Sequence, residues 1–520
     1  MTLRKLLEKL SDSETHGDTS VSISSLTCDS RAVQPGALFF ALRGVQADGH
    51  RYIEKAVAAG AAAVILEDAA SAPAGIPWVR VADGRAAMGR IAALFNGDPT
   101  AAKPLIGITG TNGKTTTTYL IEAILAAAGQ PAAVLGTISY RFGTTTIQAS
   151  HTTPESTDLQ RAFRQLADAG AEAFVMEVSS HALEQKRVDG CQFDIGIFSN
   201  LTRDHLDYHG TMENYLESKS RLFSDLLTPS EEKPRRRAAI NMDDPYGEEI
   251  ARRAACPVVT FGIQGHCDVR PTGVTSSING IRATMVTPAG EFEFTSRLLG
   301  RFNLSNILAA AAAGVALELP LSAIKYGIEN HSTVPGRMER VENREGVTCL
   351  VDYAHTGDAL ENVLSTLQEI ATGRIITLFG CGGDRDNGKR PIMGRVAATM
   401  SDLAIVTSDN PRTEEPADIL RQIRSGIINM PPLPQGEGRG EGWVIREYRP
   451  DELTGGFADK GFILVENRRE AIRLAINLAH PGDIVLLAGK GHEDYQIIGT
   501  VKHHFYDREE AAASFTEKAA

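Results

Sequence analysis

The sequence predicts an α/β protein of three domains, and three observations carry that prediction. A glycine-punctuated turn, Gly107-Ile108-Thr109-Gly110-Thr111-Asn112-Gly113-Lys114-Thr115-Thr116, stands between an apolar run and a helical pattern. From Leu105 onward, short apolar stretches alternate with helical ones, which implies a mostly parallel sheet covered on both faces. Turn-rich segments at Asn96–Pro104 and His331–Gly336 punctuate the chain at domain-sized intervals.

Taken in order, the first segment offers strands at Ala37–Ala41, Ala62–Leu66 and Trp78–Val81, with a helix near Tyr52–Ala59. It reads as a small N-terminal α/β domain over residues 1–102. The central domain, 103–334, begins with Leu105–Ile108 and the glycine turn, then runs on through Ala132–Leu135, Ala173–Val178, Ile195–Phe198, Ala238–Ile240 and Val258–Phe261. A parallel sheet of the P-loop ATPase type is expected there. The C-terminal domain, 335–520, repeats the alternation with Thr348–Val351, Ile375–Phe379, Leu403–Val406 and Ile484–Leu487, a Rossmann-like pattern. Met430 to Phe462 breaks this rhythm. It contains Pro431-Pro432-Leu433-Pro434 and the glycine-rich run to Gly442, and is expected to be a flexible surface insertion that does not pack.

Charge narrows the function classes. The 520 residues carry 53 Lys and Arg against 65 Asp and Glu, a net charge of −12, which disfavours a general binder of nucleic acid or of a membrane surface. The basic run Arg235-Arg236-Arg237 beside Glu231 and Glu232 reads as a solvated loop. Six cysteines with no C-x-x-C pair fit a reduced, cytoplasmic compartment. The first residues soon meet Glu8, Asp12 and Glu14, so no secretory segment is expected, and Ile307–Leu317 is too short to span a bilayer. Nothing signals an oligomer, so a monomer is expected.

The chemistry starts at the glycine turn. Glycines let consecutive N–H groups face one anion, and the following helix adds its positive end. Lys114 can reach terminal phosphates and the Thr115 hydroxyl can sit on Mg²⁺. The generic G-x-x-x-x-G-K-[ST] pattern would put glycine at position 108, where Ile108 stands; Gly110 takes the turn, so this is a P-loop variant. Glu177, in Glu177-Val178-Ser179-Ser180-His181, follows an apolar strand, where carboxylates point into the ligand crevice. His205 and His209, four apart in Asn200-Leu201-Thr202-Arg203-Asp204-His205-Leu206-Asp207-Tyr208-His209-Gly210, lack an H-E-x-x-H pattern or an evident third ligand, so zinc is not expected. Gly380-x-Gly382 is followed by Arg385 where a third glycine would stand, so a dinucleotide site is not expected either.

Together these motifs, with Lys219 downstream and Gly300-Arg301-Phe302-Asn303-Leu304-Ser305-Asn306, resemble the Mur ligases, the ATP-dependent amino-acid ligases of peptidoglycan synthesis. The resemblance runs from about Ser30 to the C-terminus, interrupted by the insertion. Gly380-Cys381-Gly382-Gly383-Asp384-Arg385-Asp386, Asp409-Asn410-Pro411-Arg412 and Gly489-Lys490-Gly491-His492-Glu493 are similar to the branch that adds meso-diaminopimelate to UDP-MurNAc-L-Ala-D-Glu. It implies an ATP site of Gly110, Thr111, Asn112, Gly113, Lys114, Thr115 and Thr116 with Asn303, Arg337 and Asp352 for adenine and ribose. It implies a uridine site at Ser30 and Arg31, and a muramoyl-dipeptide site of Thr152, Thr153, Ser179, Gln185 and Arg187. The amino acid would meet Arg385, Asp409, Asn410, Pro411, Arg412, Gly489 and Glu493. Mg²⁺ would be held by Thr115, Glu177, His205 and Lys219, the last as a carbamate; an ammonium would repel the ion, whereas a carbamate offers a hard anionic oxygen. Lys114, His205 and Lys219 are the implied catalytic residues.

The Asp-Asn-Pro-Arg segment has its own logic. Diaminopimelate differs from lysine by a distal carboxylate, which Arg412 can pair with bidentately while Asn410 adds a hydrogen bond and Glu493 holds the distal ammonium. The implied reaction passes the γ-phosphate of ATP to the D-Glu carboxylate; the amine then displaces phosphate, with domain closure keeping water out. A folylpolyglutamate synthase-like ligase and a P-loop ATPase switch with a protein partner are the alternatives.

Overall fold

The glycine turn sits at the centre of the largest sheet. In the computed structural model, which describes residues 1–10, 12–44, 47–149, 151–331, 333–429 and 445–519, the strand Leu105–Thr109 lies between Ile195–Phe198 and Ala173–Glu177. Arg237–Asn241 and Val258–Phe261 extend one side and Ala132–Leu135 the other, all parallel. The antiparallel hairpin Tyr140–Phe142 and Thr145–Ile147 closes that edge. The inner strands are buried on both faces, as continuous Val/Ile/Leu runs require in a helix-covered parallel sheet. Gly107 is small for a reason: a Cβ there would stand 2.5 Å from the Phe193 ring.

The N-terminal sheet has the order Ser13–His16, Trp78–Val81, Ala61–Leu66, Ala37–Phe40, Ser25–Thr27, with only the first strand antiparallel. Its helix Gly84–Phe95 presses on the central region, where a Cβ on Gly190 would meet the Gly89 carbonyl oxygen at 2.1 Å. By contact clustering this sheet and the central one belong to one unit, residues 1–273, 283–294 and 305–331.

The second unit, residues 274–282, 295–304 and 332–520, is built on a seven-stranded sheet. Its order is Glu339–Val341, Thr348–Asp352, Ile484–Ala488, Ile375–Phe379, Leu403–Val406, Gly461–Leu464, Arg446–Glu447, parallel except at the first strand. A separate hairpin pairs Tyr495–Ile498 with Val501–His504. Arg468 and Asp507, both wholly buried, form a two-pronged ion pair at 2.7 and 2.6 Å, and Arg468 also donates to the Ala488 carbonyl at 3.0 Å. This pair fastens the last helix, Asp507–Ala519, to the end of the strand Ile484–Ala488.

Two expectations need correction. The proline- and glycine-rich run Pro431–Gly442 lies outside the described residues, but residues 445–462, expected not to pack, do pack. They form the edge strand Arg446–Glu447, bury Tyr448 and Leu453, and lead into Gly461–Leu464, with Phe462 in the core. The helix Pro416–Ile428 before the run and the edge strand after it are joined by Arg424 and Glu447 at 2.8 and 2.5 Å. Arg235-Arg236-Arg237 is not a solvated loop throughout. Arg236 is buried and donates to the Leu226 carbonyl at 2.7 Å and to Gln192 at 2.5 Å, and Arg237 starts a strand.

Arg468→Met should lower stability by about 3–5 kcal/mol in urea unfolding, because it strands the Asp507 carboxylate in the core, whereas replacing both partners by apolar residues recovers most of the loss.

Candidate active site

The polar groups gather where parallel strands end. Leu105–Thr109 runs into Gly110 at φ 152° and Gly113 at φ 88°, and the helix Lys114–Ala127 starts directly after. Glycine is needed at both points: a Cβ on Gly110 would fall 1.9 Å from Ser199 Oγ, and one on Gly113 would fall 2.2 Å from Asn306 Oδ1. The neighbouring strand end ties the loop down. Thr111 N donates to the Asn200 carbonyl at 2.9 Å, Asn112 N to Asn200 Oδ1 at 2.8 Å, and Ser199 Oγ to the Asn112 carbonyl at 2.7 Å. Lys114 Nζ curls back onto the carbonyls of Gly110 and Thr111, both at 2.8 Å.

Glu177, at the end of the other flanking strand, is buried and faces the helix start. Its Oε1 accepts from the Thr115 hydroxyl and from Thr137 N, each at 3.0 Å, and its Oε2 from the Thr137 hydroxyl at 3.0 Å. Gly136 makes room, since a Cβ there would stand 2.3 Å from Glu177 Oε1. A hydroxyl and a carboxylate side by side at a helix N-terminus form an oxygen-donor set that fits Mg²⁺.

Lys219, on the helix Met212–Ser224, is buried and donates to the same Gly110 carbonyl at 2.9 Å, with its Nζ 4.6 Å from the centre of the Tyr215 ring. Burial, reinforced by Lys114, pushes its ammonium well below the usual lysine range, favouring the neutral amine. His205, with left-handed backbone at φ 52°, stacks edge-on to His181 at 4.9 Å and faces the Tyr215 ring at 6.3 Å. Burial and the two neighbouring histidines hold His181 down to about 4.

The dipeptide candidates form one network. The Thr153 hydroxyl donates to the Glu177 carbonyl at 2.8 Å and accepts from Ser179 N at 3.1 Å, while the Thr152 and Thr137 hydroxyls lie 3.1 Å apart. Arg187 donates to the Thr153 carbonyl at 2.9 Å and to Gln185 at 2.8 Å, and Gln185 donates to the Tyr208 hydroxyl at 3.0 Å. Arg187 also pairs with Glu155 at 3.0 Å, and Glu155 with Arg85 at 3.4 Å. Glu155 and Arg85 line a cleft of about 460 Å³ whose wall includes Ser30, Arg31, Tyr52 and Lys55. Arg31 is exposed there and chelates Asp29 at 2.9 and 2.8 Å.

In the second unit, Asp352 is buried at a strand end and accepts from the backbone of Met338 and Ala354, each at 2.8 Å. Burial raises its carboxyl against the pull of Arg337, whose guanidinium lies over the Tyr353 ring at 4.9 Å. Asn303 is buried in the first turn of the helix Arg301–Ala316 and donates to the Leu299 carbonyl at 2.8 Å. Asp409, Asn410, Gly489 and Glu493 come together: Asn410 Nδ2 donates to Glu493 Oε2 at 2.8 Å, and a Cβ on Gly489 would lie 3.6 Å from Asp409 Oδ2. Arg412, at φ 51°, donates to the Gly383 carbonyl at 2.7 Å. Pro411 crowds Gly383, where a Cβ would meet its carbonyl oxygen at 1.9 Å; Arg385 projects outward, donating to the Asp384 carbonyl at 3.1 Å.

Sequence reasoning missed Asn200, Thr137, Tyr208, Tyr215, Arg390 and Lys490. Asn200, Tyr208 and Lys490 stood inside quoted motifs, a signal that was there to use. Arg390, wholly buried, clamps Glu414 at 2.8 and 2.9 Å and the Gly382 carbonyl at 3.0 Å, so it braces the loop that carries Arg385.

Three family models match the chain: the Mur ligase family catalytic domain over residues 22–96, the Mur ligase middle domain over 108–314, and the Mur ligase glutamate ligase domain over 336–491. The chain is 61% identical, over 99% of both chains, to a protein of Geobacter metallireducens named UDP-N-acetylmuramoyl-L-alanyl-D-glutamate--2,6-diaminopimelate ligase. It is 59% identical, over 99% of both, to the protein of that name from Geobacter sulfurreducens. A solved structure with that name superposes with a TM-score of 0.70 at 34% identity, covering 100% of each chain.

Gly113→Ala should weaken ADP binding more than tenfold by calorimetry with the far-ultraviolet circular dichroism unchanged, because the added methyl both strains a left-handed residue and displaces Asn306.

Proposed function

The chain belongs to the Mur ligase family, and on that premise we propose that it joins meso-2,6-diaminopimelate to UDP-N-acetylmuramoyl-L-alanyl-D-glutamate, consuming ATP, in the cytoplasmic assembly of peptidoglycan precursors. The observation that carries the amino-acid assignment is the meeting of Asn410 with Glu493 at 2.8 Å beside Asp409, with Arg412 on the same loop. An acceptor for an ammonium and a guanidinium for a carboxylate match the two charges of the distal stereocentre. The proposed domains are residues 1–102, 103–334 and 335–520.

Mur ligases use ATP with Mg²⁺, and when bound the ion neutralises charge on the phosphates. Thr115, Glu177, His205 and Lys219 are the residues proposed to hold it. The N–H groups of Gly110 to Thr116 and the Lys114 ammonium would grip the phosphates, while Asn303, Arg337 and Asp352 would hold adenine and ribose. Ser30 and Arg31 would take the uridine end. Thr152, Thr153, Ser179, Gln185 and Arg187 would position the dipeptide so that an oxygen of the D-Glu side-chain carboxylate attacks the γ-phosphorus. ADP leaves, and the carboxyl becomes an acyl phosphate. The amine of diaminopimelate then attacks the acyl carbon, loses a proton, and the tetrahedral adduct expels phosphate. The protein supplies orientation and charge compensation, not covalent chemistry.

Lys219 is proposed to be carbamylated. Its buried, neutral amine adds to CO₂ with loss of one proton, and the product is an anionic oxygen ligand. Turnover should therefore fall when CO₂ is stripped from the buffer and return with bicarbonate, and Lys219→Ala should be inactive under both conditions.

ADP release in the presence of the UDP-muramoyl dipeptide should require meso-diaminopimelate; turnover with lysine in its place would overturn the specificity assignment. Arg412→Ala should raise the KM for diaminopimelate roughly 10–100-fold, the effect of losing one charge-assisted pair, with the KM for ATP unchanged.

A further inference from the structure

Between Gly489 at φ 111° and Gly491 at φ 52°, the chain turns so that Lys490 points inward. The turn is fixed on both sides: Gly489 N donates to the Asp352 carbonyl at 3.0 Å, and a Cβ on Gly491 would stand 2.7 Å from that of Tyr353. Lys490 is wholly buried. Its ammonium has three acceptors, Asp409 Oδ1 at 3.4 Å, Asn410 Oδ1 at 3.3 Å and Glu493 Oε2 at 3.5 Å. These distances are long for directed N–H···O bonds, so the interaction is chiefly Coulombic.

We propose that Lys490 is a positioning residue for the amino-acid end of the reaction, tying Asp409, Asn410 and Glu493 into one acceptor frame for the distal ammonium of the diamino acid; the inference rests on the assignment made above. Burying an ammonium is costly unless anions surround it, and here one ammonium faces two carboxylates, leaving a single negative charge in surplus. That surplus is what an incoming ammonium would neutralise. Without Lys490 the two carboxylates would face each other in a poorly solvated site, and Glu493, raised by burial and by Asp409, would lose the cation that draws it down.

The groups around Glu493 support this assignment of roles. Burial and Asp409 raise its carboxyl, whereas Lys490 and the Asn410 amide lower it. Tyr353 and Tyr495 also sense its charge, but they titrate high. Arg468 senses it too, yet is already committed to Asp507 on both prongs. Among the described residues Lys490 is thus the cation that draws the Glu493 carboxyl down. The hairpin strand Tyr495–Ile498 completes the frame from the other side: Ile497 N donates to Asn410 Oδ1 at 2.9 Å and Gln496 Nε2 to the Asp409 carbonyl at 2.7 Å.

The test measures the KM for meso-diaminopimelate against pH in wild type, K490M and K490R, with kcat and the KM for ATP and the UDP-muramoyl dipeptide read in parallel. In K490M the KM for diaminopimelate should rise at least roughly tenfold, most steeply at low pH, with kcat and the other two constants within about threefold of wild type. K490R, which keeps the charge, should retain the wild-type pH dependence. An unchanged KM for diaminopimelate in K490M, or a parallel rise for all three substrates, would overturn the proposal. If K490M does not fold, K490R decides: a wild-type pH dependence supports the proposal and a displaced one sinks it. Wild-type turnover that ignores diaminopimelate would instead remove the amino-acid assignment, and it is seen before any variant is made.

Discussion

Much of the nucleotide end depends on one carbonyl group, that of Gly110. It receives Lys114 Nζ at 2.8 Å and Lys219 Nζ at 2.9 Å, so two lysine side chains from distant parts of the chain converge on one oxygen. The carbonyl can present itself this way only because Gly110 adopts φ 152° with Ser199 Oγ filling the space a side chain would need. Lys114 reinforces the burial that favours a neutral amine on Lys219, and a neutral amine is the form that can add CO₂. A substitution at Gly110 would therefore disturb the proposed phosphate cradle and the proposed carbamylation site together.

The second unit solves a different problem. Its parallel strands lead into carboxylates, Asp352, Asp409 and Glu493, and burial raises those of Asp352 and Glu493. Backbone N–H groups compensate Asp352, while Lys490 compensates Asp409 and Glu493. Arg468 and Asp507 are closed on each other beneath the same strand ends. Here the fold uses buried charge to fix geometry, which a fully apolar packing could not do at the proposed site for a doubly charged group.

The elements legible in the sequence are those whose signal is local. Trp78–Val81, Ala132–Leu135, Ile195–Phe198, Val258–Phe261, Ile375–Phe379 and Leu403–Val406 were expected with these bounds, because short apolar runs between turn residues make buried parallel strands. Gly461–Leu464 was lost inside a polar, proline-rich neighbourhood, although Phe462-Ile463-Leu464 carries the same apolar signal. The hairpin Tyr495–Ile498 and Val501–His504 was missed for another reason: its residues are largely exposed, and it is held by Asn410 and Arg412, which only the tertiary fold brings near. The site divides the same way. The phosphate loop and Glu177 follow from strand-turn-helix order, whereas Thr137, Tyr215 and Arg390 acquire roles only through what they touch.

The ion pair between Arg424 and Glu447 has an evolutionary consequence. It staples the helix before the proline- and glycine-rich run to the edge strand after it, so the domain's core is complete on either side of that run. The two anchors thus set where the chain must leave and re-enter the domain, whatever the number of residues between them. Insertions and deletions between the anchors would leave that ion pair in place, while the helix and the edge strand that carry it could not shift by a single residue without breaking it.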